Sequence, residues 1–188
     1  MPSLRAILQR YIAYYVRLAQ EGRNLSQHLA SNISNLLRAA HYCVQIEDWP
    51  SLHELTRYMN PYWLKQAQWE DFIRFNQSLL QSDILTGDEV VQTIRQLASL
   101  EEKKCNYDAA SNWYQRLLSL CEDHDKDIYL ALDVLRKLSH ISTISGTREL
   151  TIFYLEKGLE SAGLHGLISE EADILLEIEN LPSAFQAT

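Results

Sequence analysis

Glycine and proline are scarce in this sequence, with 6 and 4 copies among 188 residues. Both residues disfavour the interior of a helix, so their scarcity is compatible with long uninterrupted helices. Apolar residues make up 46% of the chain, an ordinary globular share, and they recur at three- and four-residue spacing rather than in alternation. The sequence therefore predicts an all-α protein with a sizeable core.

Cysteine is also rare, and its three copies, Cys43, Cys105 and Cys121, form no Cys-x-x-Cys pair. This odd set on apolar helical faces favours reduced, buried thiols over a disulfide framework. The sequence has no run of about 18 apolar residues, which a membrane-spanning helix requires, and its first residues show no signal-peptide pattern. We therefore expect a cytoplasmic protein that does not enter a membrane.

Basic residues are too few to balance the acidic ones, and the formal net charge is −8. Residues 1–70 carry 7 Lys or Arg against 5 Asp or Glu, whereas residues 71–188 carry 10 against 20. An acidic surface repels the phosphate backbone of DNA and RNA. The composition therefore argues against nucleic-acid binding.

The strongest helical pattern lies in residues 92–121, which read as two helices joined by a tight turn at Asn106. Each helix presents one regularly spaced face, so the two can pack against each other, with small residues at Ala98 and Ala110 that allow a close approach. The faces consist of Ile94, Leu97, Ala98 and Glu101 in the first helix and Tyr107, Ala110, Tyr114, Leu117 and Cys121 in the second. One such hairpin cannot bury its own apolar face, so the pattern predicts stacked neighbours.

The whole chain reads as about nine helices joined by short links, which is the pattern of an antiparallel α-helical array. Ser3 is placed to cap the first helix, and Pro50 marks the start of the third, in which Pro61 predicts a kink or a break. We expect a single helical-repeat domain over residues 1–181 and a tail at 182–188. Within it we distinguish irregular helices (1–86), two hairpins (88–162) and a capping helix (167–179).

The hairpin of residues 92–121 resembles a tetratricopeptide repeat, with Glu101 in place of the usual aromatic residue. A second unit fits through Leu135, Leu138, Ser139, Thr151, Leu155 and Gly158, and a weaker third one through Leu36, Ala39, Ala40, Cys43, Trp49, Leu52 and Met59. The resemblance implies a tetratricopeptide-like α-solenoid.

A more specific resemblance covers the first eighty residues. The residues that carry it are Tyr11, Tyr15, Leu18 and Ala19, then residues 35–40, Asp48-Trp49, Tyr62-Trp63 and Trp69. This series is similar to the region that follows the ATPase module in bacterial signal-transduction ATPases of the NB-ARC (STAND) type. There it opens a C-terminal sensor array. The chain has no Gly-x-x-x-x-Gly-Lys-Ser/Thr phosphate loop, so the resemblance implies a sensor segment whose apolar first helix receives the ATPase module.

The tetratricopeptide resemblance also implies a binding groove lined by fixed positions on the first helix of each pair. Those positions are Gln92, Arg95, Ser99 and Glu102 in one unit and Asp133, Arg136, His140 and Thr143 in the next. All eight are polar, and a solvated helix face is the competing interpretation. Arg95 and Arg136 are the residues we expect to matter most, because a guanidinium can hold a carboxylate or a carbonyl through paired donors.

Catalytic and metal-binding motifs are not evident in the sequence. Asp123, Asp125 and Asp127 alternate as in a calcium loop, but Ile128 and Val134 stand where that loop needs Gly and Glu. The six histidines form no His-x-x-x-His pair, and there is no Gly-x-Ser-x-Gly elbow. We therefore predict no enzyme activity, no cofactor and no metal.

Two functions follow from this reading. The first is a non-enzymatic module that binds a protein or peptide and serves as the sensor or scaffold of a signal-transduction ATPase. The alternative is a regulator that encloses a small molecule or signal peptide in the groove. An enclosed cavity would favour sensing, and an open groove would favour a protein partner.

Overall fold

The computed structural model describes residues 3–21, 26–65, 69–124 and 127–181. Within these ranges it contains nine α-helices and no β-strand, which confirms the all-α prediction. The helices are α1 (Leu4–Glu21), α2 (Ser26–Ile46), α3 (Trp49–Lys65), α4 (Trp69–Leu80), α5 (Gly87–Lys103), α6 (Tyr107–His124), α7 (Ile128–Ile144), α8 (Arg148–Leu164) and α9 (Ile168–Glu179). The predicted tail at 182–188 lies outside the described residues, and none of the described helices is long and apolar enough to cross a bilayer.

Side chains cap four of the described helices, and at α3 the Asp48 carboxylate accepts from the Ser51 amide at 3.3 Å. The Ser3 hydroxyl accepts a hydrogen bond from the Ala6 amide at 3.3 Å, as its position before α1 predicts. Asp127 caps α7 by accepting from the Leu130 amide at 3.0 Å. At the start of α5, the Glu89 carboxylate accepts from the Thr86 amide at 2.9 Å, which is the return bond of a capping box.

The break expected at Pro61 does not occur, because α3 runs through this residue to Lys65. Proline in a helix removes one backbone donor and crowds the preceding turn, which normally interrupts the helix. Here Met59 and Trp63, on either side of Pro61, are both buried. Their burial anchors the two halves of α3 in the same core, and this outweighs the local cost of the proline.

The chain divides into two compact units, Met1–Thr93 and Ile94–Thr188, which we call the first and second unit. In the first unit, α1 packs on α2 and α3, α2 also packs on α3, and α4 packs on α3 and α2. The core between them is rich in aromatic side chains. The Trp63 and Phe75 rings stack with centroids 5.5 Å apart, and Phe72 is fully buried.

In the second unit, packing runs between consecutive helices, with α6 on α7, α7 on α8 and α8 on α9. Its core is mainly aliphatic, and small residues allow close approach. Gly158 in α8 faces Leu135 in α7 and Ile174 in α9, and a Cβ atom at this glycine would lie 3.3 Å from Ile174 Cδ1. The apolar positions predicted for the residue 92–121 hairpin are buried on both helices, apart from the half-buried Tyr107 and Cys121.

The turns of the second unit repeat one backbone pattern. A residue with positive φ follows each of α5, α7 and α8, namely Cys105 (57°), Gly146 (71°) and Gly166 (66°). In each turn the next amide donates to a carbonyl five residues back, as Asn106 does to Glu101 at 2.9 Å. This is the hydrogen-bond pattern of a Schellman motif, in which a residue with positive φ ends the helix. The motif turns the chain so that the following helix folds back onto the previous one.

Candidate functional site

A cleft of about 530 Å³ lies in the second unit, between α7 and the adjoining parts of α5, α8 and α9. α7 supplies most of its polar lining because residues 133, 136, 137, 140 and 143 recur at three- and four-residue spacing on one helical face. The buried residues Leu132, Leu135 and Leu138 lie on the other side of the same helix. The amphipathic pattern of α7 therefore fixes which side chains face the cleft.

The wall toward α5 is held by Glu102. Its carboxylate accepts a hydrogen bond from the Tyr114 hydroxyl at 2.8 Å and pairs with Lys137 Nζ at 3.2 Å. Burial raises the pKa of the Tyr114 phenol, and the bond to Glu102 raises it further. One carboxylate thus links α5, α6 and α7, and it lies 19% exposed at the edge of the cleft.

A second ion pair, which is more exposed to solvent, joins α5 to α7. Arg95 in α5 lies 3.7 Å from the carboxylate of Asp133 in α7, and about half of each side chain is exposed. An ion pair this exposed contributes little to stability, because both charges remain hydrated. Both groups can therefore exchange partners at low cost.

The opposite wall is formed by α9. Arg136 Nε donates to Glu177 Oε1 at 2.6 Å, and a second guanidinium nitrogen, Nη2, contacts the same oxygen. The hydrogen bond from the guanidinium to Glu177 raises the pKa of Arg136, which therefore stays charged. This pair connects α7 to the terminal helix across the mouth of the cleft.

The floor of the cleft combines hydroxyl and apolar groups. Ser139 and Leu155 are buried there. The Thr143 hydroxyl donates to the Ser139 carbonyl at 3.0 Å and lies 3.3 Å from the Thr151 hydroxyl. Charged side chains therefore surround the rim, whereas the base is neutral, which is a usual arrangement for a site that binds a partly apolar group.

Five of the eight predicted groove residues line this cleft: Glu102, Asp133, Arg136, His140 and Thr143. Arg95 is not in the lining but contacts it through Asp133. Gln92 and Ser99 are not in the lining; Gln92 is exposed and belongs to the first unit, and Ser99 is half-buried in the second. Both arginines that we expected to matter most are already paired with carboxylates.

Sequence reasoning missed Lys137, Ser139, Glu177 in α9, and Asn180 and Leu181 just after it, which also line the cleft. Lys137 lies next to Arg136 in a helical pattern and could have been found by extending the polar face by one residue. No spacing rule links α7 to α9, so Glu177 could be identified only from the packed helices.

A smaller cavity of about 230 Å³ in the second unit brings Cys121, Asp127 and His165 to one lining. His165 Nδ1 lies 2.8 Å from the Ser161 carbonyl oxygen, and Asp127 caps α7. In the part of the chain that the structure describes, no three His, Cys, Asp or Glu side chains are placed to hold a metal ion. Of the three alternating aspartates that resemble a calcium loop only in part, Asp125 lies outside the described residues.

Comparison with known proteins adds no functional assignment, since no family model matches the sequence and a search of curated proteins finds no match. The resemblance to tetratricopeptide and NB-ARC-associated arrays stays a prediction.

Proposed function

We propose that this protein is a non-enzymatic interaction module whose second unit binds a protein or peptide segment in the α7 cleft. The observation that supports this most is the set of half-exposed ion pairs on the rim, Arg95–Asp133 and Arg136–Glu177, above a buried floor. Charged groups of an incoming segment can replace one member of each pair. Its apolar side chains can then pack over the neutral floor of the cleft.

The openness of the rim favours a polypeptide over an enclosed ligand. Asp133, Arg136 and His140 are all exposed, so an extended segment can lie across the cleft and continue beyond it on both sides. The rim carries both signs of charge, which suits a peptide that carries acidic and basic side chains close together. The NB-ARC resemblance supports a sensor or scaffold role in a bacterial, cytoplasmic signalling ATPase.

The experiment compares peptide binding by two variants of equal net charge. Arg95→Glu/Arg136→Glu changes the cleft, and Arg57→Glu/Arg116→Glu makes the same charge change at exposed sites that do not line it. Peptides are selected from a displayed random library on the purified wild-type chain, and their affinities are then measured by fluorescence anisotropy. We expect at least a tenfold loss with the cleft variant, which corresponds to about 1.4 kcal/mol, and none with the control.

A milder pair of changes, Arg95→Gln/Arg136→Gln, guards against misfolding caused by new like-charge contacts with Asp133 and Glu177. Circular dichroism and thermal melting establish that each variant is folded. Equal affinities for the wild type and the folded cleft variants would show that the cleft is not the binding site.

The alternative function is ligand sensing, and the volume of the cleft is the observation that favours it. About 530 Å³ falls within the range of small-molecule sites. A thermal-shift screen with a metabolite library tests this alternative. A small molecule that raises the melting temperature of the wild type, but not that of the Arg136 variants, would favour sensing over peptide recognition.

The NB-ARC resemblance further suggests that an ATPase module docks on α1. The side chains of Leu4, Ile7 and Tyr14 are exposed there and would form the apolar part of that contact. The test is to add the chain to a purified NB-ARC-type ATPase and measure ATP hydrolysis. A change in rate that Ile7→Asp/Tyr14→Asp abolishes would support docking, and an unchanged rate would oppose it.

A further inference from the structure

α9 presents an apolar stripe that its own unit does not cover. Ile168, Leu175 and Leu176 are 78%, 52% and 54% exposed, and Ala172 between them is also exposed. Ile168, Ala172, Leu175 and Glu179 follow a four-three-four spacing, which is the period of a helix seam that packs against another helix. Ile174 on the other side of α9 is buried against α8.

α1 carries a second stripe of the same period. Residues 4, 7, 11, 14 and 18 follow a three-four spacing, and Leu4, Ile7 and Tyr14 among them are 69%, 50% and 61% exposed. Ile12 and Ala19, on a different face, are the buried residues of this helix. Both helices therefore have one face in their own core and an apolar seam outside it, which on α1 consists of Leu4, Ile7 and Tyr14 because Tyr11 packs on Tyr42 of α2.

The two helices carry opposite net charge. α9 contains five carboxylates, Glu170, Glu171, Asp173, Glu177 and Glu179, and no Lys or Arg. α1 contains Arg5, Arg10 and Arg17 against Glu21. Arg10 and Arg17 are exposed and seven residues apart, so they flank the seam at equivalent heptad positions.

We infer that a second copy of this chain is the partner of the α9 seam, with α1 of one copy packing on α9 of the next. Opposite charges then meet at the edges of the contact, and apolar side chains meet along its centre. Pairing of α9 with α9 would instead bring together two helices of the same negative charge, and pairing of α1 with α1 would oppose its arginines. The charges thus favour contact between unlike helices over contact between like ones.

This inference goes beyond the proposed function. A single α1–α9 contact leaves one seam of each type unused, so two copies either close a two-fold dimer through a second, reciprocal contact or continue to larger assemblies. An ATPase module docked on α1 would use the same residues and would exclude the second copy. The cleft between α7 and α9 is not part of the seam, because its lining residue Glu177 lies on another face of α9.

The test uses sedimentation equilibrium of the full chain at low ionic strength, at concentrations from about 5 to 200 µM, where contacts of this limited size associate. The weight-average mass is expected to rise above the monomer value of 21.8 kDa with concentration and to fall when salt is added. One variant, Arg10→Glu/Arg17→Glu, reverses the α1 charges. The other, Asp173→Lys/Glu179→Lys, reverses charges on α9.

Each reversed variant alone should remain at 21.8 kDa, whereas their equimolar mixture should associate again because acidic α1 then meets basic α9. Arg57→Glu/Arg116→Glu has the same net charge as the α1 variant and should associate like the wild type. A monomeric wild type over the whole range would overturn the inference, as would a monomeric mixture of the two variants.

Discussion

In the first unit, helices pack beyond their neighbours in sequence, since α1 contacts α3 and α2 contacts α4 as well as the helices next to them. In the second unit the main packing is between consecutive helices, and the remaining links within it are polar. Lys137–Glu102 joins α7 to α5, and Arg136–Glu177 joins α7 to α9. In the first unit, the helix faces between alternate helices are thus buried. In the second unit, the corresponding faces are polar and open to solvent.

This difference explains why the cleft lies in the second unit. Helices that pack mainly on consecutive neighbours form two layers, and on the cleft side long charged side chains link α5, α7 and α9 of one layer. Long side chains leave space between helices that Leu or Ile would fill. A binding surface can therefore form there without loss of the core between the layers.

The largest expected effect tests the closed core of the first unit. Trp63→Ala should lower the free energy of unfolding by about 3–5 kcal/mol, because the side chain is fully buried and stacked on Phe75. Trp63→Phe is the matched control. It removes the indole N–H, which has no hydrogen-bond partner among the described residues, and keeps an aromatic ring, so we expect a loss of about 1 kcal/mol or less.

Urea denaturation followed by circular dichroism measures both variants. A loss below about 1 kcal/mol for Trp63→Ala would show that the aromatic cluster does not hold this unit together.

Two helices show how far sequence reasoning reaches. Helix α9 was predicted to within one residue of the bounds that the structure gives it, because Gly163 and Gly166 mark the turn before it and the apolar spacing is regular. Pro61 misled the prediction because the local rule counts a missing donor but not the burial of Met59 and Trp63 beside it. Local chemistry therefore predicts where helices lie, and tertiary burial decides whether an unfavourable residue interrupts one.

The cleft was predictable in the same partial way. The polar face of α7 follows from the three- and four-residue spacing of its polar side chains. The four groove residues predicted on this helix, Asp133, Arg136, His140 and Thr143, all line the cleft. The sequence pattern does not show that Arg136 is paired, because its partner Glu177 lies 41 residues away in sequence. Periodicity assigns a residue to a face, but the partner across that face depends on how the helices pack.

A change of intermediate size tests the close packing of the second unit. Gly158→Leu would force a large side chain between Leu135 and Ile174, and we expect a loss of about 1–3 kcal/mol from overpacking. Gly158→Ala is the control. Its Cβ would meet only the flexible end of Ile174, at 3.3 Å, and alanine favours the helix, so the two effects should nearly cancel. Thermal melting of both variants decides the matter, and equal melting temperatures would contradict close approach at this position.

The polar links of the second unit can be tested through Tyr114. Tyr114→Phe removes the bond to Glu102 and should cost about 1–2 kcal/mol at neutral pH. The pKa of Tyr114 is raised in the folded chain, mainly by burial, so its contribution is complete below the ordinary value of 10.0 and is lost as the pH rises toward the folded value. The stability of the wild type should therefore fall more steeply above about pH 10 than that of Tyr114→Phe. Denaturation at pH 8 to 11 measures this, and parallel profiles would rule out a buried, bonded phenol.

The smallest effect is expected at the start of α5. Thr86→Ala removes the hydroxyl of the capping box and should cost about 0.5–1 kcal/mol. The pKa of Glu89 is lowered first by the Thr86 amide, then by the Thr86 hydroxyl, with a contribution from His53 at 3.1 Å. A carboxylate with a lowered pKa stabilises the fold above its unfolded value, and this contribution is lost as the pH falls through the folded value.

Because the amide survives the change to alanine, the pKa of Glu89 should stay below its ordinary value in Thr86→Ala but rise from that of the wild type. Carbon-detected NMR titration of the Glu89 carboxyl measures both values, and His53→Gln serves as a control for the ion pair with α3. If Thr86→Ala leaves the pKa of Glu89 unchanged while His53→Gln raises it to the ordinary value, the carboxylate is held by α3 rather than by the cap. The start of α5 would then depend on tertiary contact within the first unit, as its aromatic core does, and not on local helix chemistry.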